Sequence, residues 1–117
     1  MNHIRISDEV KRIVWDRAGG RCEMCGAAAS DLQYHDRRSR QHSSCGDPDS
    51  ASNSLLLCLI DHHRVESHRI NAHEHGQLLR AGQSPDAEPV LYRGMWMLLD
   101  DYGFTYRIPQ PSVEKAR

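Results

Sequence analysis

Hydrophobic positions change their spacing several times along the chain, and each change marks an element. Val10, Ile13 and Val14 form an apolar stripe at helical spacing behind Ser7, a good N-cap, and Asp8-Glu9, which suit a first helical turn. Gly19-Gly20 closes the stripe, so a helix is predicted over about 8–18. Leu32-Gln-Tyr-His35 alternates apolar with polar residues, as a short strand does. Residues 36–52 are polar and rich in Ser, Asp and Gly, which predicts a loop or hairpin and the stretch where chemistry is expected. From Leu55 the chain is apolar, then enters Asp61-His-His-Arg-Val-Glu-Ser-His-Arg-Ile-Asn-Ala72, where Val65, Ile70 and the histidines allow a helix stopped near Gly76.

Beyond Gly76 the pattern changes character. Residues 81–89 hold Gly, Ser and two Pro and read as a linker or irregular loop. Three β-prone runs follow, at 89–92, 95–99 and 104–108, divided by Arg93-Gly94 and by Asp100 to Gly103. They predict a small antiparallel meander. The expected fold class is α+β, with residues 1–76 as one unit, 77–108 as a β extension of the same domain, and 109–117 as a flexible tail. No internal repeat or low-complexity tract interrupts this order.

Composition makes the core thin. The 117 residues leave room for one domain, 38% of them are hydrophobic, and there is a single Phe. At that size a metal that binds only the folded chain contributes substantially to stability. Cys22-x-x-Cys25, followed by Gly26, has the form of a zinc knuckle, and a knuckle needs a second pair of ligands. Cys58 is the remaining cysteine in a ligand-rich context, with Asp61, His62 and His63 close behind it. Cys58-x-x-Asp61 keeps the two-residue spacing with an oxygen ligand, whereas Cys58-x4-His63 supplies nitrogen, and the spacing does not choose between them. The same C-x-x-C also marks redox dithiols, but no βαβ pattern surrounds it, so structural Zn²⁺ is the expectation.

Charge is nearly balanced, fifteen Lys and Arg against sixteen Asp and Glu, for a formal net charge of −1. Its distribution is uneven. Arg37, Arg38 and Arg40 gather beside a histidine, and such a local cluster can hold phosphates even in a neutral domain. The absence of an N-terminal apolar stretch argues against a secreted disulfide scaffold, and no run approaches the roughly 18 apolar residues of a membrane span, so the cytoplasm is the expected compartment. Ser43-Ser44 near His42 has no third member at a recognisable spacing, which leaves a serine hydrolase unsupported.

Taken in order, Trp15 to Gly26, His35-Asp-Arg-Arg38, Asn53 to Cys58, His62 and Val65 to Arg69 resemble the HNH endonuclease family, in particular its small phage-type members with cysteine knuckles. The resemblance covers about residues 8–76. It implies a ββα-metal (His-Me finger) core with an N-terminal helix and a C-terminal meander, and single-metal hydrolysis of DNA. His35 and His62 would bind a catalytic Mg²⁺ or other divalent ion, with Asn53 orienting the base through the loop backbone. Arg37, Arg38 and Arg40 would grip flanking phosphates.

Asp36 stands where the family normally has its base histidine. A carboxylate with a reference pKa of ~3.9, against ~6.5 for histidine, is the weaker proton acceptor, so reduced activity is expected. A rearranged alternative makes His35 the base and Asp36 a ligand. Asp61 replaces a knuckle cysteine, and His42 and Cys45 lie where the family often has a glycine-rich loop and read as ordinary loop content. Phage-type relatives often work beside genome-packaging proteins, an implication of the resemblance alone. The competing class of function is a zinc-stabilised DNA-binding or interaction module that keeps the scaffold and has lost the chemistry.

Overall fold

The first helix, α1 (Asp8–Ala18), forms where its caps predict. Ser7 Oγ accepts from the Val10 amide at 3.2 Å, and Gly19 ends the helix in the left-handed conformation at φ 67°. A serine cap of this kind contributes about 1 kcal/mol. The computed structural model describes residues 6–40 and 47–111, so His42, Cys45 and the expected tail from 112 onward lie outside the described residues.

Strands β1 (Gln33–Asp36) and β2 (Ser54–Leu57) pair antiparallel, with His35 opposite Leu55 and Asp36 opposite Ser54. Every residue of β2 is buried, because the strand is covered on both faces. Leu56 packs with Val10, Val14, Ala18 and Ala51 on the α1 side, while Leu55 and Leu57 join Val65, Leu78, Val90, Tyr92 and Leu99 on the other. Each fully buried leucine stabilises the fold by roughly 1.5–3 kcal/mol. Three leucines in a row thus make one short strand the partition between two apolar clusters.

Where one helix was expected to run from Asp61 to Gly76, two occur. Helix α2 (Leu59–Ser67) starts two residues early, capped by the Cys58 sulfur, which accepts from the Asp61 amide at 3.5 Å. Helix α3 (Arg69–Glu74) follows after His68, whose backbone leaves the helical region at φ −127°, ψ 62°. Ser67 sits at the break with its hydroxyl on the His63 carbonyl at 2.8 Å, the kind of side-chain bond that bends helices.

The expected meander is present within a residue at each end. Strands β3 (Val90–Tyr92), β4 (Met95–Leu99) and β5 (Thr105–Arg107) form an antiparallel sheet in that order. Arg93 and Gly94 turn β3 into β4 with φ of 50° and 82°, the paired positive values of a two-residue hairpin turn. Gly76 has no room for a side chain: its φ is 80°, and a Cβ there would collide with the Pro89 carbonyl. The chain is a small α+β domain of helices and antiparallel sheets. Among the described residues, no helix is long and apolar enough to cross a membrane.

Candidate metal centres

Two groups of side chains that could hold a metal ion draw members from α2 and its N-cap. The first comprises Cys22, Cys25, Cys58 and Asp61, whose ligand atoms all lie within 4.8 Å of one another. The knuckle turn is closed by the Gly26 amide bonding the Cys22 carbonyl at 2.8 Å, and Cys58 and Asp61 come from the first turn of α2. Asp61 is the fourth member. His63 points away and is exposed, because a helix turns the residue five beyond Cys58 off the face that the residue three beyond it occupies, and the alternative that had it completing the site is corrected.

The chemistry of this donor set fits a cation. Cys22 and Cys58 Sγ both reach Asp61 Oδ2, at 3.2 and 3.4 Å, and the Cys25 and Cys58 sulfurs approach to 4.0 Å. The Ala27 amide pulls the Cys25 thiol down, but the Asp61 carboxylate, burial and the Cys22 sulfur outweigh it and push that thiol up to about 12. A divalent ion reverses the sign of this crowding, since a coordinated thiol loses its proton. Three sulfurs and one oxygen suit four-coordinate zinc, and a closed set with no open position is a structural one.

The second group is His35, His62 and Glu66, again with ligand atoms within 4.8 Å of one another. His35 is 4% exposed, and its Nε2–H donates to the Gln77 carbonyl at 2.7 Å, which leaves Nδ1 as the acceptor. His62 Nδ1 meets Gln33 Oε1 at 2.6 Å, which leaves its Nε2. Each ring is thus oriented by one hydrogen bond and keeps one nitrogen for a ligand, as metal-binding imidazoles do. Their ring centroids are 5.2 Å apart, edge to face. Burial draws the His35 pKa down to about 4, against the Gln77 hydrogen bond, with His62 adding to the drop, so the ring is neutral at pH 7.

Glu66 offers the third donor. The signal was its i,i+4 spacing from His62, which stacks the two on one helix face. Two imidazoles and a carboxylate suit Mn²⁺, Co²⁺, Ni²⁺ or Zn²⁺ better than Mg²⁺, which favours all-oxygen surroundings. His35 and Glu66 line an open cleft of ≈ 400 Å³ with Asp36 and Arg69.

Asp36 shares the cleft but not the donor cluster. Its Oδ2 accepts from Arg40 Nε at 2.8 Å, and Arg40 also reaches Asp49. Burial raises the Asp36 carboxyl above its usual range, against the pull of Arg40. Asn53 is fully buried and clamps the chain just after β1: its Oδ1 accepts from the Arg38 amide at 2.8 Å, and its Nδ2 donates to the Arg38 and Pro48 carbonyls.

The arginines depart most from expectation. Arg37 and Arg38 are 1% and 0% exposed, so their guanidiniums are not available to grip phosphates. Arg37 donates to the carbonyls of Ser52, Gly76, Pro85 and Glu88, and Arg38 to that of Gln83. Burial lowers the Arg37 pKa to about 9, still charged at neutral pH. Together they pin the segment read as a linker onto the hairpin. Arg40, with a side chain 6% exposed, is committed to Asp36 and Asp49. Local clustering of arginine in the sequence carried no information about the distant carbonyls that absorb it.

His68 is exposed, whereas His73 and His75 are half-buried with partners: His73 Nδ1 meets Arg80 at 3.2 Å, and His75 lies against the Trp96 ring. A buried network unforeseen in the sequence joins the knuckle to the meander. Glu23, between the two knuckle cysteines, takes a bidentate pair from Arg17 at 2.7 and 2.8 Å, the Tyr92 hydroxyl at 2.7 Å and the Leu56 amide at 2.8 Å. Comparison with family models, with curated proteins and with solved structures finds no match for the chain.

Proposed function

We propose that the chain is an HNH-type endonuclease on a ββα-metal scaffold, hydrolysing DNA phosphodiester bonds with one divalent ion. The observation that carries this reading is the convergence of His35 from a hairpin strand with His62 and Glu66 from α2, at an open cleft that His35 and Glu66 line. The separate closed cluster on the same helix supports the division into a structural zinc and a working ion.

An ion at His35, His62 and Glu66 supplies positive charge for the scissile phosphate and the departing oxygen. The chain's own residues supply the rest. Gln77 and Gln33 orient the two imidazoles, and Asn53 holds the backbone that follows β1. Asp36 faces the cleft as the proton acceptor for water, and its ion pair with Arg40 restrains that role. Slow turnover follows from a weak base already engaged by a cation.

That ion pair also favours the second reading, a lapsed module that keeps the scaffold and its DNA or protein contacts without hydrolysis. Supercoiled plasmid incubated with Mg²⁺, Mn²⁺, Ni²⁺ or Zn²⁺ separates the two. The wild type is expected to nick slowly, His62→Ala not at all, and Asp36→His faster than wild type. Cutting undiminished in His62→Ala would sink the site, and cutting by Asp36→His alone would move the chain to the lapsed class.

A further inference from the structure

A second groove adjoins the cleft. It holds ≈ 640 Å³, within the range of pockets that enclose drug-sized ligands, and shares Arg69 and Leu79 with the His35 cleft. Trp96 of β4, His73 and Glu74 of α3, and Arg80 and Glu88 from the segment between them line its other sides.

The charges around it are arranged, not scattered. Arg69 bonds Glu66 at 2.8 Å and so stands at the junction of the two hollows. Arg80 is exposed and has no carboxylate partner among the described residues; its guanidinium donates to His73 Nδ1 at 3.2 Å, which holds it in place. Burial lowers the His73 pKa, and both Arg80 and Arg69 lower it further, so the two cations crowd one side chain. Half-buried Trp96 is backed by the His75 ring at 6.3 Å, edge to face, which steadies the indole. Glu74 and Glu88 repel phosphate from the remaining walls and leave acceptors there for base amino groups.

We propose that this groove binds one unpaired nucleotide next to the scissile phosphate, with Arg69 and Arg80 on its phosphate and Trp96 stacked under its base. The proposal rests on the hydrolase reading for the word scissile, and its consequence is a preference for single-stranded or frayed DNA. A paired base in a duplex has no free face to lay on Trp96, whereas stacking on an aromatic ring tolerates any base. It also replaces Arg37, Arg38 and Arg40, all turned inward, with cations that face solvent.

Binding of end-labelled oligodeoxynucleotides to the full chain, followed by anisotropy without added divalent ion, tests this apart from cleavage. A single strand is expected to bind at least roughly tenfold tighter than the duplex of the same sequence. Trp96→Leu should lose roughly tenfold or more for the single strand, as when a base–aromatic stack is removed. Arg80→Gln, an exposed position where folding is not at stake, should weaken binding and reduce its salt slope by about 0.7. Equal binding of duplex and single strand, or single-strand binding unchanged in Arg80→Gln and Trp96→Leu, overturns the groove. If these variants lose binding while the wild type cuts nothing with any ion, the groove stands and the hydrolase reading falls. If the wild type cuts and the variants bind and cut as it does, the groove falls alone.

Discussion

The two donor clusters share α2 yet differ in exposure, ligand type and neighbours. Cys22, Cys25, Cys58 and Asp61 close around a point at the helix N-terminus, with three of the four residues buried. His62 and Glu66 sit one to two turns further along, where they meet His35 of β1, and His35 and Glu66 line an open cleft. A closed set of three sulfurs and an oxygen does no more than hold chain segments together, whereas three donors beside an open cleft leave positions for water or substrate. One helix thus carries a clamp at its start and a candidate reaction centre along its face.

Breaking the clamp should have the largest effect. Cys22→Ser is expected to lower zinc from about one ion per chain and abolish the cooperative thermal transition, because zinc binding in small domains contributes an amount comparable with the whole folding stability. Mass spectrometry of the metal and a circular dichroism melt read both outcomes; a variant that melts like wild type would remove the clamp from the account.

A smaller effect is expected at His35. Its pKa is about 4 in the fold against ~6.5 when unfolded, so between those values the unfolded chain binds the extra proton. The neutral ring's contribution is complete above pH 6.5 and lost as pH falls toward 4, on the order of 3 kcal/mol in all. His35→Gln should flatten that part of the stability profile relative to wild type. Urea melts of both proteins from pH 7 to 4 give the difference, in which the cysteine site common to both cancels, and parallel profiles would contradict the buried neutral imidazole.

Glu66→Gln should barely touch the fold, since Glu66 is about half exposed, and any change is expected within about 0.5 kcal/mol. Affinity for a second ion should fall at least roughly tenfold, measured by calorimetric titration of zinc-loaded protein with Mn²⁺ or Co²⁺. Unchanged affinity would leave the open cluster with two donors and blur its distinction from a surface histidine pair.

Much of this arrangement was legible in the residues because it is local. The caps of α1, the knuckle turn, the strand runs and the two-residue hairpin all depend on neighbours within a few positions. Cys58-x-x-Asp61 was one of two open choices, and the first turn of α2 decided it, since a cysteine that caps a helix faces the residue three further on. The break at His68 had no proline or glycine to announce it. Glu66 carried a readable helical spacing, but a carboxylate one turn from a histidine is common, and the ring of His35, 31 residues earlier in the sequence, made it a donor.

By itself the sequence determined the α+β order and the zinc-type knuckle, patterns written in short spacings, while the meeting of a strand histidine with a helix histidine was an implication of the family resemblance. Tertiary structure decided where the charges go. Arg37 lies next to Asp36 in sequence, yet its bonds run to carbonyls 15 to 51 residues away. Glu23 lies between two knuckle cysteines, yet it binds a tyrosine 69 residues on. A charged side chain takes whatever partner burial brings to it, because the cost of leaving it unpaired in the interior outweighs any local preference. Spacing along the chain records no such partner.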